Sequence, residues 1–167
     1  PRAPGGRGLT VRQKSRRALS SVLPTAGYVE VLSFPFASAD EADRLGLPAD
    51  DDRRCLVRLA NPLADTAPYL RTTLLPGLFA AVARNRSRSQ DDLALYEVGS
   101  VFRGPSGVAP MPPVTFRPSP DELAALNDAL PRQPVHVASV VTGAWRPAGW
   151  WGAAEPASWC HAIAFDD

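Results

Sequence analysis

The sequence predicts an α+β domain, a mainly antiparallel sheet flanked by helices. Three observations lead there. Helical and strand-like patterns are mixed without the strict strand–helix alternation that a parallel doubly wound fold requires. The strand-favouring runs stop at Gly and Pro, as short antiparallel strands do. The chain has 167 residues, 45% of them hydrophobic, enough for one core without a disulfide or metal staple.

Residues 1–8, rich in Pro, Gly and Arg, read as a linker from a preceding module. Residues 9–167 read as a single domain. Thr10 is an N-cap for a helix on which Val11, Ala18, Leu19, Val22 and Leu23 share a face. Pro24 and Gly27 close it. Tyr28 to Phe34 is a strand ended by Pro35. Ser38 to Leu47 is a short helix with Asp40, Glu41 and Asp43 near its positive end. Cys55 to Leu59 is a strand. Thr73 to Arg84 is a helix with Pro76 in its first turn, where the missing N–H costs nothing. Leu93 to Phe102 is a strand, and residues 104–120 form a Pro-rich loop. Asp121 to Leu130 is a helix with Leu123, Leu126 and Leu130 on one face, and Pro134 to Gly143 is a further strand.

Net charge is +1, which excludes a strong overall positive field as a basis for nucleic-acid binding, though not a local patch. No apolar run approaches the ~18 residues of a membrane span. No secretory leader is visible, and the chain starts without Met, as a fragment would. The expected location is the cytoplasm, with Cys55 and Cys160 reduced. Cys55, Cys160, His136 and His161 lack the paired spacing of a zinc site. His136, in an apolar strand, reads as a core or edge residue. There is no Gly-x-Ser-x-Gly and no phosphate-binding glycine loop. Arg84-Asn85-Arg86-Ser87-Arg88 follows a helix, so these cations suit its negative end; the alternative is contact with RNA. Trp145, Trp150, Trp151 and Trp159 have Arg146 as nearly their only cation, so packing explains them better than base stacking.

Several segments, in order, resemble a known family. The helix followed by Gly27-Tyr28-Val29-Glu30-Val31-Leu32-Ser33-Phe34-Pro35 resembles the first signature of class II aminoacyl-tRNA synthetases. Leu95-Tyr96-Glu97-Val98-Gly99-Ser100-Val101-Phe102-Arg103 resembles the strand of the second. Leu59-Ala60-Asn61-Pro62-Leu63, Leu70-Arg71-Thr72-Thr73-Leu74-Leu75-Pro76-Gly77-Leu78, Ala83-Arg84-Asn85-Arg86 and Tyr96-Glu97-Val98-Gly99 resemble the β subunit of bacterial phenylalanyl-tRNA synthetases. Leu130-Pro131-Arg132-Gln133-Pro134 and Gly149-Trp150-Trp151-Gly152 fit the same subunit.

The resemblance implies a class II synthetase-like fold, truncated at its C-terminal end. It implies a catalytic-like module that supports tRNA aminoacylation by docking the catalytic α subunit in an (αβ)₂ heterotetramer. In the family the strand carrying Tyr28, Val29, Val31 and Phe34 builds the subunit interface. Arg103 holds the slot of the arginine on the nucleotide phosphate, where transition-state charge gathers. The Glu expected two positions later is Pro105, and the third signature does not occur. The module is therefore expected to have no catalytic residue, metal or cofactor of its own, with ATP and magnesium belonging to the holoenzyme. An active ATP-binding class II domain is one alternative. A tRNA-contacting module using Arg84, Arg86 and Arg88 is the other. No membrane contact is expected.

Overall fold

The computed structural model describes residues 8–104, 115 and 117–158. Residues 1–7 of the expected linker, most of the expected Pro-rich loop, and Trp159, Cys160, His161 and the remaining C-terminal residues lie outside the described residues. Two compact units emerge: residues 1–33, 77–98 and 137–167 form one, and residues 34–76 and 99–136 the other.

In the first unit, α1 (Val11–Thr25) starts where Thr10 predicts. Thr10 Oγ1 accepts the Gln13 N–H, and Gln13 Oε1 accepts the Thr10 N–H. This reciprocal box satisfies two donors that a helix start otherwise leaves unpaired. The expected apolar face is not buried as a face. Leu23 is inaccessible, whereas Val11 and Val22 are 80% and 54% exposed. The last turn is tied to the segment that follows, where the Tyr28 N–H donates to the Leu23 carbonyl at 3.0 Å.

The strand expected over residues 28–34 is shorter: β1 is Val29–Glu30, and β2 is Phe36–Ala37 in the other unit. β1 pairs in parallel with β5 (Leu93–Ser100), Val29 facing Leu95 and Glu30 facing Tyr96. With β6 (Val135–Thr142) they make a sheet of order β1-β5-β6. α3 (Leu75–Arg86) lays Leu78 and Ala81 against Leu95. Val31, Val82, Leu93, Ala138 and Val140 pack around this centre. β7 (Ala144–Arg146) and β8 (Glu155–Pro156) form a small antiparallel pair in the Trp-rich region.

In the second unit, β2, β3 (Val57–Arg58) and β4 (Tyr69–Leu70) form an antiparallel sheet of order β2-β4-β3. Ala37, Ala42, Val57, Leu74 and Val101 are buried apolar residues of this unit. α2 (Glu41–Arg44) is a single turn, followed by a 3-10 turn at Asp52–Arg54. α4 (Pro120–Asp128) begins at a second reciprocal cap between Ser119 and Glu122. Its leucines do not form a buried face: Leu123 and Leu130 are 41% and 58% exposed. The sheets are thus mainly antiparallel, as expected, with the β1–β5 pair parallel.

Candidate functional site

The four residues read as an interface strand fall in different environments. Tyr28 is only 2% exposed, and its ring lies 5.6 Å from that of Trp145 in tilted contact. Burial pushes its phenol up from the usual range. Val31 packs against the Leu78–Leu95 core. Tyr28 is thus buried within the unit and Val31 partly so. Val29 and Phe34 are exposed, at 61% and 83%. Strand alternation accounts for the split between Tyr28 and Val29, since successive side chains point to opposite faces.

Of the three arginines read as an RNA contact, Arg84 and Arg86 lie in the last turn of α3, where cations are favourable. Arg86 Nε reaches Asp91 Oδ1 at 3.0 Å, with both side chains largely exposed. Such a pair contributes about 1 kcal/mol or less. Arg84 and Arg88 face solvent.

Sequence reasoning missed the most buried charge in the first unit. Glu97, in the middle of β5, is 1% exposed. Its carboxylate accepts hydrogen bonds from the hydroxyl and the backbone N–H of Ser33. A buried carboxylate needs such donors, because desolvation is otherwise prohibitive. Gly77, in the first turn of α3, crosses directly over Ser33. A Cβ there would come within 2.9 Å of Ser33 Cβ and closer still to its hydroxyl. The detectable signal was one acidic residue inside the otherwise uncharged run Leu93–Val98 of a strand.

In the second unit, arginines gather near the synthetase-like slot. Arg71 is 8% exposed, and its Nε donates to the Ser100 carbonyl at 3.0 Å. Its backbone accepts the Phe102 N–H and donates to Pro35. Arg103 and Arg132 exchange two backbone hydrogen bonds at 2.9 and 2.8 Å. Arg103 Nε is buried without an acceptor. Arg53 grips Asp51 through Nε and Nη2 at 2.8 and 2.6 Å, and Thr72 Oγ1 donates to the Arg53 carbonyl at 2.7 Å.

Those Arg53 hydrogen bonds hold the Asp51 carboxyl far below the usual range, with a smaller contribution from the charge of Arg103. The folded-state value is the lower one. The stability that Asp51 contributes is therefore complete above its ordinary value of 3.8 and fades as pH falls below it. Urea unfolding of wild type and Asp51→Asn should show a constant gap from neutral pH down to about pH 5, narrowing in stronger acid. A gap that widens on acidification would contradict this assignment.

Among the described residues, no three His, Cys, Asp or Glu side chains come together as a metal site, and no helix is long and apolar enough to cross a membrane.

The model of the phenylalanyl-tRNA synthetase β chain CLM domain matches residues 1–165. The chain is 48% identical over 165 residues to the phenylalanine–tRNA ligase β subunit of Streptomyces avermitilis, covering 98% of this chain and 20% of that protein. It is 49% identical over 166 residues to that of Thermobifida fusca, again 98% and 20%, and 47% identical over 155 residues to that of Mycobacterium leprae, 91% and 18%. It thus spans about a fifth of the length of these relatives. Among solved structures, pyrrolysyl-tRNA synthetase from Desulfitobacterium hafniense overlaps 59% of this chain and 34% of that one, at 17% identity and a TM-score of 0.45. With its helices, its mainly antiparallel sheets and its match over residues 1–165, the chain belongs to the phenylalanyl-tRNA synthetase β chain family, in the CLM domain.

Proposed function

We propose that this domain is a non-catalytic module of a phenylalanine–tRNA ligase β subunit that docks the α subunit carrying the chemistry, in a cytoplasmic (αβ)₂ assembly. The main observation is an exposed apolar surface on the first unit. Val11 and Val22 on α1, Val29 on β1 and Leu32 just after it are 80%, 54%, 61% and 84% exposed. Large apolar side chains left exposed on neighbouring elements support an interaction site there.

Two arginines of the cluster are already engaged. Arg53 is committed to Asp51 and Arg71 to the Ser100 carbonyl. The residue two positions after Arg103 is a proline without a side-chain acceptor. In this reading ATP and magnesium belong to the assembled ligase.

The test is co-expression of the intact β chain with its α subunit, with Val29→Asp and Leu32→Asp combined. Buried, unpaired carboxylates should weaken assembly by about 3 kcal/mol, more than a hundredfold in Kd. Size exclusion should show the subunits apart, with the β chain still folded by circular dichroism. Assembly at wild-type affinity would overturn the docking role. Amino-acid-dependent pyrophosphate exchange by the β chain alone would instead establish the active-enzyme alternative. The exposed Arg84 and Arg88 favour a tRNA contact as the second reading, whose affinity would fall steeply with salt.

A further inference from the structure

The first unit holds a cleft of about 480 Å³. Its volume lies within the range of ligand pockets. Leu93, Val141, Trp145 and Pro147 supply an apolar lining, and the end of α1 and Asp92 supply the polar part.

The one charged side chain in that lining is the carboxylate of Asp92. α1 runs 15 residues and has no basic residue in its last turn, so the negative end of its dipole is not neutralised there. The two neighbouring aspartates differ. Asp91 is paired with Arg86. Asp92 forms no ion pair among the described residues; its Oδ1 accepts the Ala144 N–H at 2.7 Å. Trp145 is held on one side by Tyr28, 5.6 Å between ring centroids, and lines the cleft as well.

An anion is repelled by this set. A wholly apolar group would desolvate the Asp92 charge and the helix carbonyls with nothing in return. A cation on an alkyl stem suits it: the stem lies along Leu93, Val141 and Pro147, and the head meets Asp92, the helix end and the indole. A guanidinium suits it better than an ammonium, being planar, less strongly hydrated and able to stack on an aromatic ring.

We propose that this cleft seats an arginine side chain presented by another module of the same β chain. The relatives are about five times as long as the matched part, so most of their polypeptide lies beyond it. A tethered arginine also has a high effective concentration. The proposal does not depend on docking of the α subunit.

The experiment places a photo-crosslinking p-benzoylphenylalanine at Pro147 in the intact β chain, purified with and without α. The expected result is attachment within the β chain, within a few residues of an arginine, whether or not α is present. Asp92→Asn should lower the crosslink yield at least fivefold, while its side-chain oxygen still accepts the Ala144 N–H and keeps the turn. N-acetylargininamide should compete, and N-acetylleucinamide should not. Attachment only to α, attachment to segments lacking arginine, no attachment, equal competition by both amides, or insensitivity to Asp92→Asn would each overturn the proposal. Elution of the α–β assembly, read on the same samples, reports separately on docking.

Discussion

Glu97→Ala is expected to destabilise the chain by about 3 kcal/mol, measured by urea unfolding at neutral pH. The carboxylate is 1% exposed and takes both donors of Ser33, the hydroxyl and the backbone N–H. Truncation leaves those donors facing a void, and each unsatisfied buried group costs about 1–3 kcal/mol. Glu97→Gln should cost much less, because the amide keeps the shape and still pairs with Ser33. Gly77→Ala probes the same contact from the helix side. In an ordinary helix this change gains about 1 kcal/mol. Here the new Cβ meets Ser33, and overpacking of about 1–3 kcal/mol should reverse the sign. Adding Ser33→Gly should recover part of the Gly77→Ala loss even though it removes a hydrogen bond. Strict additivity of the two changes would show that the helix and Ser33 do not touch there.

The parts of the fold legible in the sequence were those set by local chemistry. Thr10 marks a helix start because only a side-chain oxygen there satisfies the first N–H groups, and the cap forms. Pro76 falls in the first turn of α3, where its missing N–H is harmless. The long strands β5 and β6 follow their β-branched and aromatic runs. β2, β3 and β4 are two residues each, too short to show a period, and β4 was not foreseen at all. β7 and β8 were hidden in a Trp- and Pro-rich stretch for the same reason. The apolar stripe of α1 was legible as a stripe, but its exposure was not. Periodicity reports which side is apolar, not whether this chain or a partner covers it. The family resemblance rested on ordered short segments, and the matches to relatives bear it out. The buried Glu97 and Arg71 were not legible as such, because burial of a charge depends on donors and acceptors brought from distant segments: Ser33 is 64 positions from Glu97, and Ser100 is 29 from Arg71.

Tyr28 separates the two kinds of apolar residue on this strand. If it served a subunit interface, its removal would leave the isolated β chain as stable as wild type and weaken only assembly. The structure places it inside, 2% exposed and in ring contact with Trp145, with a hydrogen bond to Ser139. Tyr28→Ala should therefore destabilise the β chain itself by about 3–5 kcal/mol, the usual cost of deleting a buried aromatic ring. Tyr28→Phe, which loses only the hydroxyl, should cost about 1 kcal/mol. Val29→Ala, one position on and 61% exposed, should change unfolding by no more than about 0.5 kcal/mol, so its effect is confined to assembly. Urea unfolding of the β chain without α checks all three. The contrast between adjacent positions also decides which substitutions are clean probes of docking: changes at Tyr28 or Val31 confound folding with binding, whereas changes at Val29 and Leu32 do not.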